Sequence, residues 1–450
     1  MKNVVKFGGS SVASSKQLEK VAAIVADDDA RKFVIVSAPG KRFDDDVKVT
    51  DLLIAYYDAY RAGKSVSAAQ DAIVTRFQEL ADDLGLDEAL MSDIRYAIHA
   101  LATLPKGDNP FLYDSFLAEG ENSNAKLVAA YFESQGMDAH YVHPKDAGII
   151  VTAEPGNARL LGSSYAKIRQ LTNLNGVLVI PGFFGLTEND EICTFSRGGS
   201  DITGSLIAAG VDADLYENFT DVDGLFSANP HKIKDPEPIS EVTYREMREL
   251  SYSGFSVLHD EALVPAFRAK IPIVIKNTNN PAHPGTRITM THEAHHRPVV
   301  GIASDSGFTS LNLNKYLLNR EIGFGRQILS ALEDFGVSFE HMPTGIDDIS
   351  VLIRDRFLTP DLETALLTRL TETVHPDDIV FEHHLSIIVL VGEAMREHIG
   401  VTARASRALS ENYINIKMLT QGASECSVMF VVKSIDEDAA VRALYKEFFL

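Results

Sequence analysis

The sequence predicts an α/β protein, with helices on both faces of one large, mainly parallel sheet and a smaller repeated β/α region after it. Three observations predict this. Short buried-strand runs alternate with helical patterns from the first residues onward, several of those strands end in glycine turns, and the texture of the chain changes past Asn277. With 450 residues the chain is too long for one ordinary core, so two or three domains are expected.

Residues 3–7 read as a buried strand that ends in Gly8-Gly9-Ser10-Ser11. Leu18, Val21, Ala22 and Val25 then recur at helical spacing, and Phe33-Val34-Ile35-Val36 is the next strand, closed by Ser37-Ala38-Pro39-Gly40. Strand, helix, strand is the opening of a parallel sheet. Residues 50–104 are helical throughout in this reading, and a further helix covers 111–135. Strands return at Ala139–Val142, Gly148–Val151, Val177–Ile180, Ile192–Phe195, Asp214–Phe219 and Ile273–Lys276. A turn-rich stretch at 279–285 and a linker at 291–298 follow. Beyond them strand–helix–strand–strand–helix occurs twice. One copy has strands at Thr309–Leu313, Val337–His341 and Ile349–Ile353 with a helix over Phe324–Phe335. The other has strands at Leu385–Val391, Asn415–Met418 and Ser427–Val432 with helices over Thr402–Glu411 and 436–449. That is a repeat of ferredoxin-like type.

Composition removes several classes of function. A net charge of −21 argues against a nucleic-acid or anionic-membrane surface. No apolar run approaches the ~18 residues that cross a bilayer, and residues 1–9 lack the apolar stretch of a secretory signal. Cys193 and Cys426 make neither a disulfide framework nor a metal knuckle; they read as buried thiols, and a cytoplasmic location is expected.

Three segments carry chemistry. In Lys6-Phe7-Gly8-Gly9-Ser10-Ser11, glycines let the backbone approach phosphate oxygens, and the lysine supplies a point charge; from this motif alone a tight turn with a solvated lysine is the stronger reading. Arg197-Gly198-Gly199-Ser200-Asp201 leads into a helix; Arg197 can grip a carboxylate bidentately, and Ser200 and Asp201 can hold substrate or metal, or simply cap the helix. Thr220-Asp221-Val222-Asp223-Gly224 ends a strand, where ligands of open α/β sheets bind, and an acidic turn is the plainer alternative. Thr50-Asp51, Gly120-Glu121 and Gly182-Phe183 complete the set.

Together these segments, with Val36-Ser37-Ala38 and Pro181-Gly182-Phe183-Phe184-Gly185, resemble the aspartokinase family over nearly the whole chain. Gly254-Phe-Ser-Val-Leu-His-Asp-Glu-Ala-Leu263 is similar to its single-function bacillus-type members. The resemblance implies the three-layer amino-acid kinase fold over 1–290 and a tandem of ACT domains, the first at 307–383 inserted into a second built from 297–306 and 384–450. It implies transfer of the γ-phosphoryl of ATP, with Mg²⁺, to the β-carboxylate of aspartate, the first step toward lysine, threonine and methionine, under feedback by lysine, threonine or both. A homodimer or tetramer through the ACT domains is expected.

Residue by residue, the resemblance gives Lys6 and Asp201 catalytic roles and surrounds the phosphates with Gly8, Gly9 and Ser10. Arg197 would take the aspartate α-carboxylate and Glu121 its ammonium, with Thr50, Phe183 and Ser200 shaping the pocket. Thr220, Asp221 and Phe226 would line the nucleotide site. The effector would lie among Asn319, Gly323, Phe324, Ser338, Glu340 and Asp347, with Ser338 and Glu340 on one strand face. Two departures matter: Ser256 stands where many relatives have lysine, and Asn229-Pro230-His231 replaces D-P-R. Lys232 or Lys276 would then compensate at the nucleotide.

Other motifs mislead. His292-Glu293-Ala294-His295-His296 matches the zinc-protease pattern but is short and runs toward Pro298, so no metal site is expected there. Ala62-Gly63-Lys64-Ser65 reads as a joint between helices, and Gly323-Phe324-Gly325 lacks the third glycine of a dinucleotide loop. The acidic runs 27–29 and 44–46 read as solvated carboxylates.

Overall fold

A computed structural model describes residues 1–255, 257–291 and 297–450. Both Ser256 and the zinc-protease-like 292–296 motif lie outside the described residues. The chain divides into two compact units. The first takes residues 1–225, 238–248 and the described part of 256–292; the second takes 226–237, 249–255 and the described part of 293–450.

In the first unit the strand Asn3–Phe7 is buried along its whole length and sits inside the sheet, as its apolar run requires. Among the described residues the sheet has eight strands, in the order 241–243, 286–289, 273–277, 215–220, 3–7, 31–36, 177–181 and 139–141. Pairing is parallel from 273–277 to 139–141; Thr286–Thr289 runs antiparallel to Ile273–Asn277. Strand alternation decides the placement of the chemistry. Val5 and Phe7 point into the core formed with helices 15–26, 49–61, 67–84, 88–100 and 112–134. Lys6 points the other way, to the helix Gly199–Val211. Arg31 on one neighbouring strand grips Glu217 on the other through two hydrogen bonds of 2.7 and 2.9 Å, so a buried ion pair spans the strand that carries Lys6.

The second unit is one antiparallel sheet, in the order 348–354, 301–314, 378–391, 427–433 and 418–421. The ferredoxin-like repeat is present, with a core for each copy. Leu311, Phe324, Ile328, Val351, Leu366 and Leu370 pack in one, and Ile388, Leu390, Ala405, Phe430, Val441 and Leu444 in the other. The copies share their two longest strands, Gly301–Asn314 and Asp378–Val391, which pair from Gly301↔Val391 to Asn314↔Asp378 with irregularities around Gly307.

Several elements differ from the sequence reading. The 50–104 stretch is three helices, broken at Gly63 and after Gly85, both in left-handed conformations. Gly148–Val151 contributes only single bridges, and Ile192–Thr194 pairs with Phe184–Leu186 in a separate hairpin. Val337–His341 is not a strand: His341 makes one bridge to Leu352, and Ser338 is exposed. The helices Tyr244–Tyr252 and Asp260–Ala269 escaped the sequence reading; the second contains Pro265, which argues locally against a helix.

Candidate active site

The strands 3–7, 31–36, 177–181 and 215–220 all end on one edge of the sheet, and their following turns meet there. Gly9 and Gly40 show why glycine is needed. Gly40 donates its N–H to the Gly9 carbonyl at 2.9 Å, and a Cβ on Gly40 would lie 2.7 Å from the Gly9 carbonyl carbon. The two turns are therefore in backbone contact. Arg76, almost wholly buried, donates to the carbonyls of Ala13 and Gly40 and lies 3.6 Å from Asp46. Asp46 is also held by Arg42, at 2.8 Å, and this guanidinium keeps its carboxyl well below the usual range. That corrects the reading of 44–46 as wholly solvated: Asp46 is a structural anchor.

A cavity of about 920 Å³ opens at this edge. Of the residues expected there, Lys6, Gly9, Ser10, Thr50, Glu121, Phe183, Arg197, Ser200, Asp201 and Asp221 line it together. Lys6 Nζ sits 2.5 Å from Asp201 Oδ1, which also accepts the Asn218 side-chain amide at 2.9 Å. Asp201 lies in the first turn of the helix 199–211, where the helix dipole favours a carboxylate. Gly198 precedes it at φ +73°, with its Cα face against His259, so a side chain there would be strained twice over. Ser196 hydrogen-bonds Glu261, at the start of the helix 260–269, which props the turn.

Phe183 is a bulky residue in the left-handed region, φ +77°. Such strain persists only where the surroundings impose it: Thr203 Oγ1 accepts its N–H at 3.0 Å, and its carbonyl accepts from Phe195 at 2.8 Å. Glu121 sits within the helix Leu112–Ser134, buried, and its Oε2 has no hydrogen-bond partner among the described residues. Burial pushes its carboxyl up to about 8, offset in part by the Ala38 backbone N–H and the charge of Lys6. A buried, unpartnered carboxylate oxygen on a cavity wall is a place for a cationic ligand group.

Other expected residues lie elsewhere. Gly8 and Thr220 flank the cavity in sequence but do not line it: Gly8 donates to the Phe219 carbonyl, and the Thr220 hydroxyl donates to Asp221. Phe226 falls in the second unit, on the strand Leu225–Phe226, and does not line the cavity. Lys232 departs furthest from expectation. It also belongs to the second unit, where its ammonium pairs with Glu437 and lies 3.1 Å from Asp438. Lys276 does not line the cavity either; its ammonium is 3.7 Å from Glu217 and lies over the Phe219 ring. Conversely, Lys41, Lys48, Tyr113 and Thr194 line the cavity and were not anticipated. Lys41, directly after Gly40, carried an available signal; Lys48 did not.

In the second unit, Asn319 and Asp347 come together. Asn319 donates its N–H to the Ile346 carbonyl, and Asp347 Oδ1 accepts the Leu317 N–H at 2.8 Å. Gly323 caps the helix Phe324–Asp334 at φ +85°, and Phe324 is buried beneath the Lys315 ammonium. Glu340 points to other partners, Arg354 at 2.7 Å and the Tyr252 hydroxyl, so the shared strand face with Ser338 does not exist.

A glycine-turn cavity with a buried lysine at the edge of a mainly parallel sheet defines a phosphoryl-transfer class of protein, and the comparisons agree. Residues 1–277 match the model of the amino acid kinase family and residues 388–448 that of the ACT domain. The chain is 54% identical to aspartokinase 3 of Bacillus subtilis, covering 99% of this chain and 98% of that one. It superposes on the aspartate kinase of Clostridium acetobutylicum with a TM-score of 0.86 at 37% identity, covering 99% of this chain and all of that one. On Escherichia coli aspartokinase III in complex with aspartate and ADP the TM-score is 0.78 at 24% identity over all of both chains, a likeness of fold. The chain belongs to the amino acid kinase family and, within it, to the aspartokinases. It is a kinase enzyme with ACT domains. Among the described residues no helix is long and apolar enough to cross a membrane.

Proposed function

We propose that the protein transfers the γ-phosphoryl of ATP to the β-carboxylate of L-aspartate, giving 4-phospho-L-aspartate in the cytoplasm, at the head of lysine, threonine and methionine synthesis. The observation that carries this reading is the pairing, in one cavity, of the Arg197 fork with the unpartnered buried oxygen of Glu121. A free α-amino acid offers a carboxylate to the first and an ammonium to the second. Aspartate then has one carboxylate left over, ionised at neutral pH and able to attack phosphorus without a base.

What the reaction needs is alignment and charge compensation. Lys6, held by Asp201, faces the position of the transferring phosphoryl, and the Gly9–Ser10 turn offers backbone N–H groups to phosphate oxygens. Thr50, Phe183 and Ser200 close around the amino acid; Lys41 and Lys48 add positive charge to the cavity wall. Asp221 offers the hard oxygen donor that Mg²⁺ takes alongside phosphate oxygens. It would hold the ion, which supplies charge neutralisation on the nucleotide. The direct test is a coupled assay with ATP, Mg²⁺ and either aspartate or glutamate. Aspartate should be the better substrate, and Lys6→Ala should cost at least roughly 10³-fold in kcat with a folded protein. Equal turnover of glutamate, or near-wild-type kcat in Lys6→Ala, refutes the reading.

Residues 1–290 form the catalytic domain in this reading, and 307–383 with 297–306 plus 384–450 form paired ACT domains that bind an end-product amino acid. Supporting this, Asn319, Gly323 and Asp347 lie around one loop that exposes Tyr316, Leu317, Ile322 and Ile346. Apolar side chains gathered beside a polar loop suit a second copy of the chain, and hence a homodimer or a larger assembly. Lysine and threonine, alone and together, should raise the aspartate concentration needed for half-maximal rate; no change with either would remove the feedback role.

A further inference from the structure

Asp114 lies outside the residue set above, and its environment is unusual. It is a carboxylate with 1% exposure in the first turn of the helix Leu112–Ser134. A single oxygen, Oδ2, accepts two backbone N–H groups, from Gly156 at 2.9 Å and from Thr194 at 2.6 Å. Gly156 and Thr194 both line the cavity, from different segments. Those segments are further joined where Ala158 donates its N–H to the Thr194 carbonyl at 3.0 Å. Thr194 leads directly into Phe195, whose N–H holds the strained Phe183 carbonyl, and then into Ser196 and Arg197. On the same helix Tyr113 and Leu117 face the cavity, and Glu121 stands two turns further on.

A buried charge is costly unless its hydrogen bonds repay the loss of water. Here, among the described residues, the repayment comes from backbone N–H groups of two segments of the cavity wall and not from a cation. We infer that Asp114 is a positioning residue: it pins the 152–157 loop and the strand leading to Arg197 onto the helix that carries Glu121, and so sets the spacing between the two groups that grip the amino acid. This rests on the assignment of Arg197 and Glu121 to the amino-acid substrate. Asp114 itself does not line the cavity. Its loss therefore acts on one substrate only, because the nucleotide turns at Gly9 and Gly40 are held by Arg76 and not by Asp114.

The test is steady-state kinetics of Asp114→Ala and Asp114→Asn in the full-length enzyme, with each substrate varied in turn. Asp114→Ala should raise the aspartate KM at least tenfold while the ATP KM moves less than twofold. Asp114→Asn should restore the aspartate KM to within about threefold of wild type, since its amide oxygen can take the place of Oδ2 and accept both N–H groups. Amide exchange at Gly156 and Thr194 should quicken in the alanine variant and recover in the asparagine one. If the alanine variant does not fold, Asp114→Ser serves in its place, with the same split expected. An unchanged aspartate KM, a parallel rise in both KM values, or loss of folding in both variants overturns the inference, the last because the residue then holds the fold and not the pocket. A wild-type enzyme inactive on aspartate would instead sink the assignment it rests on.

Discussion

At the scale of single residues, Glu121 makes the sharpest prediction. Burial holds its carboxyl at about 8, far above the value in an unfolded chain, so the folded protein binds a proton that the unfolded chain has released. Between the ordinary carboxylate range and about pH 8, stability therefore falls as pH rises, and Glu121→Gln should flatten that slope in thermal melts without ligand. The kinetic consequence has the opposite sense. Aspartate needs the ionised form, so its KM should fall as pH rises toward 8 in wild type, at pH values where the substrate ammonium stays protonated. In Glu121→Gln the dependence should vanish and KM should rise about 10–100-fold, roughly 1.5–3 kcal/mol for the lost charged contact. A pH-independent KM in wild type would contradict the assignment.

Residue chemistry was also the most legible part of the sequence. Lys6, Glu121, Arg197 and Asp201 each stand in or beside a glycine-bearing motif that singly reads as well as a turn or a cap; the motifs in order along the chain carry the family resemblance, and that resemblance marks the residues. Asp114 and Lys48 were missed because nothing local marks them; only the fold brings Gly156 and Thr194 to one carboxylate. Lys232 failed for the converse reason. It follows the nucleotide loop closely in sequence, yet the chain has by then entered the second unit and given its ammonium to Glu437. Nearness along a chain is a poor guide once it crosses between units.

At the scale of elements, the contact between the Gly9 and Gly40 turns is a tightly constrained feature of the site. Gly40→Ala would drive a methyl to within 2.7 Å of the neighbouring backbone, so the turns must part. The expected outcome is a rise of tenfold or more in the ATP KM, with a stability loss of roughly 1–3 kcal/mol. ATP kinetics with a thermal melt check both, and wild-type ATP affinity would show that the turns can separate freely. The ion pair between Arg31 and Glu217 makes a second case. Glu217→Gln leaves the guanidinium buried beside a neutral amide, and denaturant unfolding should show a loss of roughly 3–5 kcal/mol. Strand and helix periodicity had placed most of these elements. It failed where a run pairs outside the main sheet, as at 192–194, and where a proline sits inside a real helix, as at Pro265.

At the scale of the whole molecule, the exposed loop around Ile322 predicts assembly. Ile322 is fully solvent-exposed in the single chain. Ile322→Glu should shift the mass seen by sedimentation toward the monomer while leaving the melting profile of the chain nearly unchanged. The same assembly in mutant and wild type would place the interface elsewhere. The repeat that forms this region was readable from its pattern. That its copies share strands was not, because the joint near Gly307 resembles an ordinary turn signal.

That shared pair of strands has a mechanical corollary. Two strands of 14 residues each extend for roughly 45 Å at the usual rise per residue and pair from end to end apart from the irregularities around Gly307, so a twist of one half strains the other. The repeat region is better pictured as a single plank than as two beads on a string, and melting of the two copies should register as one event, not two.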